Sequence, residues 1–309
     1  MNLLDAYRYL AALERHRHFG RAADACHITQ PALSNALRAL EAHLGVAIVR
    51  RSRQYEGLTS EGEQVLATAH RVLREQEALR QELASGAGQP RGRLTVGSVP
   101  TALPIAARFT ARLVERHPGI KPQLRSLSSQ EIEQGLHTLA LDLGFGFVER
   151  VAQDRRLSVW PQYDECHHLV QRASAQDEAP AETATWAEAA ALRLGVQTPE
   201  MHYRSLLDRV FGELGLTVQP ALETDSVLAL VVAVQSGGFA AVLPGALVGA
   251  LPSTAGLRVR PLRQPQVLTP VGCMSSAQAR PSRALQAALE LARSAAWREE
   301  ARAFSGALD

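Results

Sequence analysis

The hydrophobic pattern of this chain changes at a short glycine-rich segment, residues 85–92. Before this segment, apolar residues recur every three or four positions, which indicates helices. After it, short apolar runs alternate with helical patterns, which predicts parallel sheets flanked by helices. One core is not expected to hold both patterns, so the 309 residues predict a helical N-terminal unit and a separate α/β unit.

The N-terminal unit is predicted to contain three short helices and a hairpin. The second helix is expected at 21–26, and the third begins after a cap at Thr29 or Gln30 and ends at Gly45, a residue that favours helix ends. Residues 48–58 then predict two short strands. Three helices with a tight turn before the third can place that helix in the major groove of DNA.

Polar side chains on the third predicted helix match the groups that bases expose in the major groove. Asparagine and glutamine pair with adenine, arginine with guanine, and serine with either. The net charge is only +2, so a DNA-binding surface must be a local patch. An arginine cluster in the hairpin supplies one; alone it would indicate a solvated surface, but its position favours contact with phosphate or the minor groove. The residues expected to contact DNA are Arg21, Gln30, Pro31, Ala32, Ser34, Asn35, Arg38, Arg50, Arg51 and Arg53.

A long helix is predicted directly after the hairpin, capped by Thr59. Its apolar positions alternate at spacings of four and three residues, the pattern of helices that pair with other helices. Packing on its own domain is the alternative, but the helix is longer than a domain of this size needs, which favours a homodimer. The residues expected at the dimer interface are Val65, Ala69, Val72, Gln76, Leu79 and Leu83.

The cysteines and the uncharged stretches indicate the compartment in which the protein acts. Cys26, Cys166 and Cys273 are few, odd in number and without CxxC spacing, which favours a reducing compartment. Charged residues near the N-terminus argue against a signal peptide. The uncharged stretch 226–257 is interrupted by glycine and proline, and neither part reaches the roughly 20 apolar residues of a membrane span. We therefore expect a cytoplasmic protein with no membrane partner.

Motifs for catalysis and metal binding do not occur in the sequence. It contains no GxSxG, P-loop or HExxH, so we expect neither an enzyme nor a cofactor. The run 164–168 is rich in metal-ligating residues, but alternate side chains of a strand point to opposite faces. At most Cys166 and His168 could then share a metal, and we expect no metal site. A solute-binding protein would explain the α/β unit but not the DNA-binding unit.

The N-terminal residues resemble the LysR-type transcriptional regulators, strongly from His18 to Gly62 and weakly beyond. The family usually has a small hydroxylated residue on each side of Phe19, where this chain has His18 and Gly20, and Gly20 is still an acceptable N-cap. The wing usually opens with Leu-Phe-x-Arg, and the different residues at 48–51 are expected to change packing only. The matching residues are Phe19, Arg21-Ala22-Ala23, Ile28-Thr29-Gln30-Pro31-Ala32-Leu33-Ser34, Leu37-Arg38-Ala39-Leu40-Glu41, Leu44-Gly45-Val46, Arg51-Ser52, Leu58-Thr59 and Glu61-Gly62.

The resemblance implies a winged helix-turn-helix, an antiparallel linker-helix dimer and usually a dimer of dimers. It implies bent, pseudo-palindromic, double-stranded promoter DNA and a small inducer, with RNA polymerase as a further candidate partner. It also implies a two-lobed effector domain like that of the periplasmic binding proteins. The implied boundaries are 1–58 for the winged helix-turn-helix, 59–85 for the linker helix, 86–92 for a hinge and 93–309 for the effector domain, with lobe one at 93–162 and 277–300 and lobe two at 163–276.

In this architecture an inducer lies between the lobes, against strand ends and helix N-termini that favour anions. The matching positions carry hydroxyl and amide groups and few charges, which suits a small carboxylate or similar anion. Each serine or threonine could instead cap a helix, so the case rests on their number. The expected effector-binding residues are Ser98, Pro100, Thr101, Ser126, Ser128, Gln197, Thr198, Thr224, Ser226 and Phe239.

Redox sensing is the alternative function. The helix-turn-helix resembles that of the peroxide-sensing branch of the family, Cys26-His27 included, and that branch needs a reactive pair of cysteines in its sensor domain. Cys166 and Cys273 lie in predicted buried strands, which favours inert thiols and therefore ligand sensing.

Overall fold

The computed structural model describes residues 2–51, 55–84, 89–173, 182–251, 256–277 and 281–306, with the backbone alone for Arg51 and residues 81–84. The N-terminal unit contains three helices, a two-stranded wing and a long linker helix, as the sequence predicts. Their bounds are α1 Leu3–His16, α2 Phe19–Ala25, α3 Gln30–Leu44, β1 Val49–Arg51, β2 Tyr55–Leu58 and α4 Ser60–Ala84.

Local capping explains where α2 and α3 begin and end. Thr29 caps α3, because its Oγ1 accepts a hydrogen bond from a backbone N–H of the first turn at 3.4 Å, and Pro31 takes the second helical position. Gly45 ends α3 with a φ of 71°, a left-handed conformation that favours glycine. His18, and not Gly20, caps α2, because its Nδ1 accepts a first-turn N–H at 3.3 Å.

The N-terminal unit has its own apolar core, and the linker helix contributes to it. Val65 and Ala69, from the expected dimer stripe, pack on this core, and Ala69 is fully buried. These two residues therefore pack on their own domain, which was the alternative to a dimer interface. The fully buried leucines at the centre of the core are Leu10, Leu13, Leu33, Leu37 and Leu40.

The second half of the expected dimer stripe faces solvent. Val72 is 37% exposed and Leu79 is 55% exposed. Gln76 lies between them and accepts a hydrogen bond from Arg8 of α1 at 3.1 Å. The side chain of Leu83 lies outside the described residues. An exposed apolar pair on a long helix is a surface that a partner helix can cover.

The second unit contains two β-sheets with helices on their faces. The strands are β3 Gly92–Ser98, β4 Ile120–Ser126, β5 Leu143–Phe147, β6 Leu157–Glu165, β7 His167–Arg172, β8 Ala184–Thr185, β9 Leu194–Gln197, β10 Leu222–Thr224, β11 Ala240–Pro244, β12 Leu257–Arg263 and β13 Thr269–Ser276. The helices are α5 Leu103–Arg116, α6 Ser129–His137, α7 Val148–Val151, α8 Trp186–Ala190, α9 His202–Glu213, α10 Val227–Gln235, α11 Gly245–Val248, α12 Arg283–Arg293 and α13 Ala295–Ala303, with a 3-10 turn at Pro100–Ala102.

Each lobe is built on one sheet, and both sheets are mixed. Lobe one has the strand order β4-β3-β5-β13-β6, and lobe two has β10-β9-β11-β7-β12-β8. β3 and β9 have parallel neighbours, but β13 is antiparallel to β5 and β6, and β7 is antiparallel to β11 and β12. This corrects the expectation of parallel sheets, because the antiparallel pairs involve β6, β7, β12 and β13, the strands that carry the chain between the lobes.

The chain crosses between the lobes twice, at Cys166 and at residues 264–268; we call these segments the crossovers. β6 ends in lobe one directly before the first crossover, and β13 returns to lobe one directly after the second. Lobe two therefore spans 167–263 and not 163–276. The expected boundary was wrong because β13 pairs with strands of lobe one that are distant in sequence.

The linker helix also contacts lobe one of its own chain. Arg74 forms an ion pair with Asp142, in which the two side chains are 11% and 18% exposed. The other Asp142 oxygen accepts the Thr95 N–H at 2.7 Å. With about 3.6 residues per helical turn, Arg74 lies on the opposite side of α4 from Val72 and Leu79. The helix thus presents one side to its own effector domain and the other to solvent.

Candidate functional site

The predicted recognition face of α3 is exposed to solvent. Gln30, Asn35 and Arg38 are exposed, as are Pro31 and Ala32 of the first turn. The Arg38 Nη1 donates to the Asn35 Oδ1 at 3.5 Å, so these two side chains lie side by side. The leucines on the opposite face hold the helix on the core. Ser34, at the border between the two faces, is half-buried.

The predicted phosphate contacts flank this helix in the chain. Arg21 is exposed in the first turn of α2, and Arg50 is exposed in β1 of the wing. The side chain of Arg51 and the whole of Arg53 lie outside the described residues. Arg21 and Arg50 therefore supply the described positive charges beside the recognition face.

A small cleft lies between the two lobes; we call it the interlobe cleft. Lobe one contributes the turn after β3, the start of α6 and the end of β5. Lobe two contributes the segment between β9 and α9 and the first turn of α9. The lining residues are Val99, Pro100, Thr101, Ser128, Ser129 and Phe147 from lobe one and Gln197, Met201, His202 and Tyr203 from lobe two.

Two residues that line the cleft carry buried polar atoms without partners, and a third lies next to them in the chain. Ser129 Oγ and Gln197 Nε2 are buried in its lining and have no hydrogen-bond partner among the described residues. Thr198 Oγ1, next along the chain, is buried and unpaired in the same way. Buried polar groups in folded proteins are nearly always hydrogen-bonded, so each exception needs an explanation. A bound polar ligand would provide one here.

Two of the predicted effector-binding hydroxyls cap helices, and a third accepts a hydrogen bond from a nearby backbone N–H. Ser128 lines the interlobe cleft, but its hydroxyl and N–H form a capping box with Glu131 at the start of α6. Ser226 caps α10, and the Thr224 Oγ1 accepts the Ser226 N–H at 3.1 Å. Neither Ser226 nor Thr224 lines the cleft. The hydroxyls of Ser128 and Ser226 therefore serve as helix caps, which is the alternative to ligand binding that the sequence left open.

Three further predicted residues also lie away from the cleft lining. Ser98 is fully buried, and its hydroxyl donates to the Val99 carbonyl at 3.0 Å. Ser126 is exposed at the end of β4. Phe239 precedes β11, where the Arg193 guanidinium lies 5.3 Å from the centre of its ring. The predicted residues that do line the cleft are therefore Pro100, Thr101, Ser128 and Gln197.

Sequence reasoning missed the aromatic part of the lining. Phe147 ends β5 in lobe one, and its ring centre is 4.8 Å from that of His202 in lobe two. Tyr203 follows and is almost fully buried. No local signal in the sequence shows that the end of β5 meets α9 across the cleft. These residues add planar apolar surface to a site that was expected to be polar.

An ion pair and a hydrogen bond join the lobes beside the cleft. Glu149 of α7 accepts hydrogen bonds from the His202 Nε2 and from Arg209, both in α9, at 3.0 Å each. Burial lowers the pKa of His202, so the ring is neutral near pH 7 and donates from Nε2. Although burial opposes it, hydrogen bonds from Arg209 and His202 lower the pKa of Glu149 and keep the carboxylate charged. The contacts hold the lobes together on this side of the cleft.

Two protein families match the chain, one over each unit. Residues 4–63 match the family described as "Bacterial regulatory helix-turn-helix protein, lysR family". Residues 87–297 match the "LysR substrate binding domain". The chain belongs to the LysR family. It is a DNA-binding transcriptional regulator with a two-lobed substrate-binding domain, which confirms the family and fold that the sequence suggested.

Curated relatives of this LysR regulator match about half of its length. It is 35% identical over 162 residues to the SDS degradation transcriptional activation protein of Pseudomonas sp. and 36% identical over 144 residues to the transcriptional dual regulator OxyR of Escherichia coli. It is 34% identical over 167 residues to the hydrogen peroxide-inducible genes activator of Pectobacterium carotovorum. These matches cover 52%, 46% and 53% of this chain. They cover 53%, 47% and 54% of the relatives, so the chain spans about half the length of the curated relatives it matches.

Solved structures of full-length LysR regulators share the fold. A full-length OxyR variant from Pseudomonas aeruginosa superposes with a TM-score of 0.70 at 24% identity, over 94% of this chain and 97% of that chain. CbnR in complex with its target DNA superposes with a TM-score of 0.66 at 20% identity, over 94% of this chain and 98% of that chain. At these identities the likeness shows the fold alone.

The sensor-domain cysteines of this LysR regulator lie far apart. Burial raises the pKa of Cys273 and, to a smaller extent in a half-buried position, that of Cys166. Thr269 pairs with Glu165 and Cys273 with Trp160, so about four residues of strand, on the order of 13 Å, separate the thiols. A disulfide needs Cα atoms within about 7 Å. Cys166 is also the residue between β6 and β7, which corrects the expectation that it lies within a buried strand.

The described residues lack the groupings that metal sites and membrane spans need. Within the described ranges, no group of three or more His, Cys, Asp or Glu residues is placed to hold a metal ion. None of the helices in the described part of the chain is long and apolar enough to cross a membrane. The uncharged stretch of the sequence supplies α10, β11 and α11 of lobe two.

We expect Arg38→Ala to relax sequence specificity at one base pair of each half-site, because a good arginine–guanine contact is worth about 1–3 kcal/mol. Arg50→Ala should weaken binding to all sequences alike and reduce the salt dependence, since phosphate contacts carry no sequence information. Fluorescence anisotropy with promoter and shuffled duplexes, at several salt concentrations, measures both effects.

Arg116→Ala is the matched control for these two variants, because Arg116 is an exposed arginine at the end of α5 in lobe one. It should change neither affinity nor salt dependence. An Arg38→Ala variant that lost affinity equally for promoter and shuffled DNA would contradict a base contact at this position.

Proposed function

We propose that this regulator binds a small monocarboxylate or similar anion in the interlobe cleft, and that the bound anion changes how a homodimer binds promoter DNA. The observation that carries the proposal is the set of buried, unpaired polar atoms Ser129 Oγ, Gln197 Nε2 and Thr198 Oγ1. Hydroxyl and amide N–H groups can donate to an oxyanion. An oxygen-bearing ligand would remove the cost of leaving these donors buried without partners.

The residues that line the cleft support a ligand with one negative charge. Its described lining contains no lysine or arginine, and His202 is neutral near pH 7. Neutral donors can hold a monocarboxylate, whereas a phosphate ester or dicarboxylate would bring charge that nothing in the lining balances. The rings of Phe147 and Tyr203 offer an apolar surface for the carbon atoms of such a ligand.

The position of the donors suggests how such a ligand would act. Ser129 belongs to lobe one, while Gln197 belongs to lobe two. A carboxylate that contacts both is held best when the lobes are close together. A ligand shifts a conformational equilibrium only by its difference in affinity for the two states, and a bridging contact supplies that difference.

The assembly that binds promoter DNA is proposed to be a dimer formed through α4. Exposure of Val72 and Leu79 supports this arrangement, because they lie on the side of the helix away from the Arg74 ion pair. Two recognition helices in a dimer would contact two half-sites of double-stranded promoter DNA. The same regulator could then assemble further, as dimers of dimers.

Thr101→Val tests the ligand site. Thr101 lines the cleft and is 3% exposed, so valine keeps its shape and removes its hydroxyl. Losing one hydrogen bond to a charged ligand costs about 1.5–3 kcal/mol, so we expect a roughly tenfold to hundredfold weaker response to the inducer. Basal DNA binding should not change, because the operator contacts lie in the other unit. A thermal-shift screen of carboxylates followed by a reporter assay measures the response.

Thr110→Val is the matched control, because this buried threonine of α5 donates its hydroxyl to a backbone carbonyl of its own helix at 2.8 Å. It should respond like the unmodified protein. Normal induction of the Thr101→Val variant across inducer concentrations would disprove the site assignment.

Peroxide sensing is the second candidate function, and the relatives favour it. Two of the matching proteins are OxyR and a hydrogen peroxide-inducible genes activator. Under this alternative, the double variant Cys166→Ser and Cys273→Ser would silence a response to hydrogen peroxide, and Thr101→Val would not. The raised pKa of both thiols argues against it, since the thiolate is the reactive form. The same reporter assay, with peroxide and with carboxylates, separates the two functions.

A further inference from the structure

The crossovers bring residues of both lobes into contact. Strands β6 and β13 run side by side in lobe one, with Glu165 opposite Thr269, so the chain leaves and returns at neighbouring positions. The Gly245 N–H of lobe two donates to the Cys166 carbonyl at 2.8 Å. The Ala246 N–H donates to the Glu165 carboxyl at 3.0 Å. Any change in the angle between the lobes must act on this small set of contacts.

One chain of side-chain hydrogen bonds runs from the interlobe cleft to the crossovers. Tyr203 lines the cleft, and its hydroxyl lies 3.0 Å from the His167 Nδ1. The His167 Nε2 lies 3.1 Å from the Thr269 Oγ1. Tyr203 and His167 belong to lobe two, whereas Thr269 is the first residue of β13 in lobe one. All three are at most 4% exposed, so water does not replace these partners.

The central histidine makes the two hydrogen bonds depend on each other. Burial lowers the pKa of His167 to about 4, so the imidazole is neutral near pH 7. A neutral imidazole carries one N–H donor and one acceptor nitrogen. If His167 accepts from Tyr203, it must donate to Thr269, and if it donates to Tyr203, it must accept from Thr269. The direction of the bond at the cleft therefore fixes the direction of the bond that crosses between the lobes.

We propose that Tyr203, His167 and Thr269 form a positioning relay that couples the contents of the interlobe cleft to the hinge between the lobes. The relay rests on the proposed effector site, because its cleft end is the ring of Tyr203. A ligand that reorders the partners of Tyr203 would change the hydrogen bond at Thr269, which lies at the second crossover. The backbone between Tyr203 and Thr269 need not move for this change in hydrogen bonding to take place.

A double-mutant cycle on the full-length protein tests the relay without any ligand. Tyr203→Phe and Thr269→Val each remove one hydroxyl and little else. Each should speed hydrogen–deuterium exchange of peptides covering residues 163–170 and 262–272 by about five- to tenfold, because each breaks one bond of the relay. The double variant should be little faster than either single variant, because both hydroxyls act through one imidazole.

Two control variants separate the relay from general destabilisation. Thr269→Ser keeps the hydroxyl and should restore exchange close to that of the unmodified protein. Thr110→Val removes a buried hydroxyl elsewhere in lobe one and should leave the crossover peptides unchanged. Additive effects of Tyr203→Phe and Thr269→Val, or equal effects of the serine and valine variants at 269, would overturn the proposal.

A ligand arm distinguishes failure of the relay from failure of the proposed function. Sodium benzoate, a planar monocarboxylate, serves as the probe, and its binding is measured by thermal shift. We expect benzoate to slow exchange of the crossover peptides in the unmodified protein and not in the Thr269→Val variant. Benzoate binding that slowed exchange equally in both would overturn the relay. If no member of a carboxylate panel bound while the ligand-free cycle gave the expected coupling, the proposed function would fail and the relay would stand.

Discussion

Replacing both Val72 and Leu79 with aspartate should convert this regulator from an oligomer into monomers. The two side chains are the exposed apolar residues of the α4 stripe, and burying a charge against a partner helix without a counter-ion is strongly unfavourable. A monomer engages one half-site at a time, so promoter affinity should fall on the order of a hundredfold or more. Sedimentation velocity measures the assembly, and anisotropy with a full promoter duplex measures the binding.

The matched control is Arg71→Asp, which changes the charge of an exposed residue on the same helix but away from the stripe. Arg71 donates a hydrogen bond to Thr68 of its own helix at 3.0 Å, so the oligomer should survive its replacement. Unchanged sedimentation of the double aspartate variant would show that the dimer forms through another surface. A monomer with unchanged promoter affinity would instead disprove the need for two recognition helices.

Gly62→Ala should destabilise the DNA-binding unit by about 3 kcal/mol, the cost of overpacking a closely fitted contact. Helix propensity alone predicts the opposite, a gain of about 1 kcal/mol for alanine in place of glycine. The reason is that a Cβ at this position would lie 2.1 Å from the Ile48 carbonyl oxygen, which is backbone and cannot rotate away. The start of α4 would have to move, breaking the hydrogen bond from the Thr59 hydroxyl to the Ala47 carbonyl. Thermal unfolding and promoter binding should both decline.

Gly212→Ala provides the comparison, because a Cβ at Gly212 in α9 would meet nothing within 4 Å. Here the higher helix propensity of alanine should decide the outcome, and the free energy of unfolding should rise by up to about 1 kcal/mol. If both alanine variants proved stabilising, the close approach of α4 to the Ile48 backbone would not exist in solution.

The parts of the fold that sequence reasoning predicted are those with local signals. The start of α3 at a threonine cap and its end at Gly45 depend on residues within a few positions of each boundary. The exposed polar face around Asn35 and Arg38 follows from helical periodicity alone. The same holds for the linker helix, although periodicity could not divide its stripe between the core that buries Ala69 and the solvent that reaches Leu79.

The parts that sequence reasoning missed depend on contacts distant in the chain. β13 belongs to lobe one because it pairs with β5 and β6, and nothing within its own residues reports those partners. His202 and Tyr203 reach the interlobe cleft only because α9 approaches α7 and β5. No residue near Gly62 in the chain indicates that a side chain is excluded there, because the carbonyl that excludes it comes from Ile48. Ser226 was expected in the cleft, yet its hydroxyl serves as a helix cap.

The two crossovers make lobe two an insertion within lobe one. The chain leaves lobe one beside Glu165 and re-enters it at Thr269, and these residues are paired neighbours on adjacent strands. Insertions whose ends meet can change in length and content without disturbing the host domain. Lobe one, with its contact to the linker helix through Arg74, can thus keep its architecture while lobe two diverges. One DNA-binding apparatus can in this way acquire a new chemical specificity by exchanging a single module.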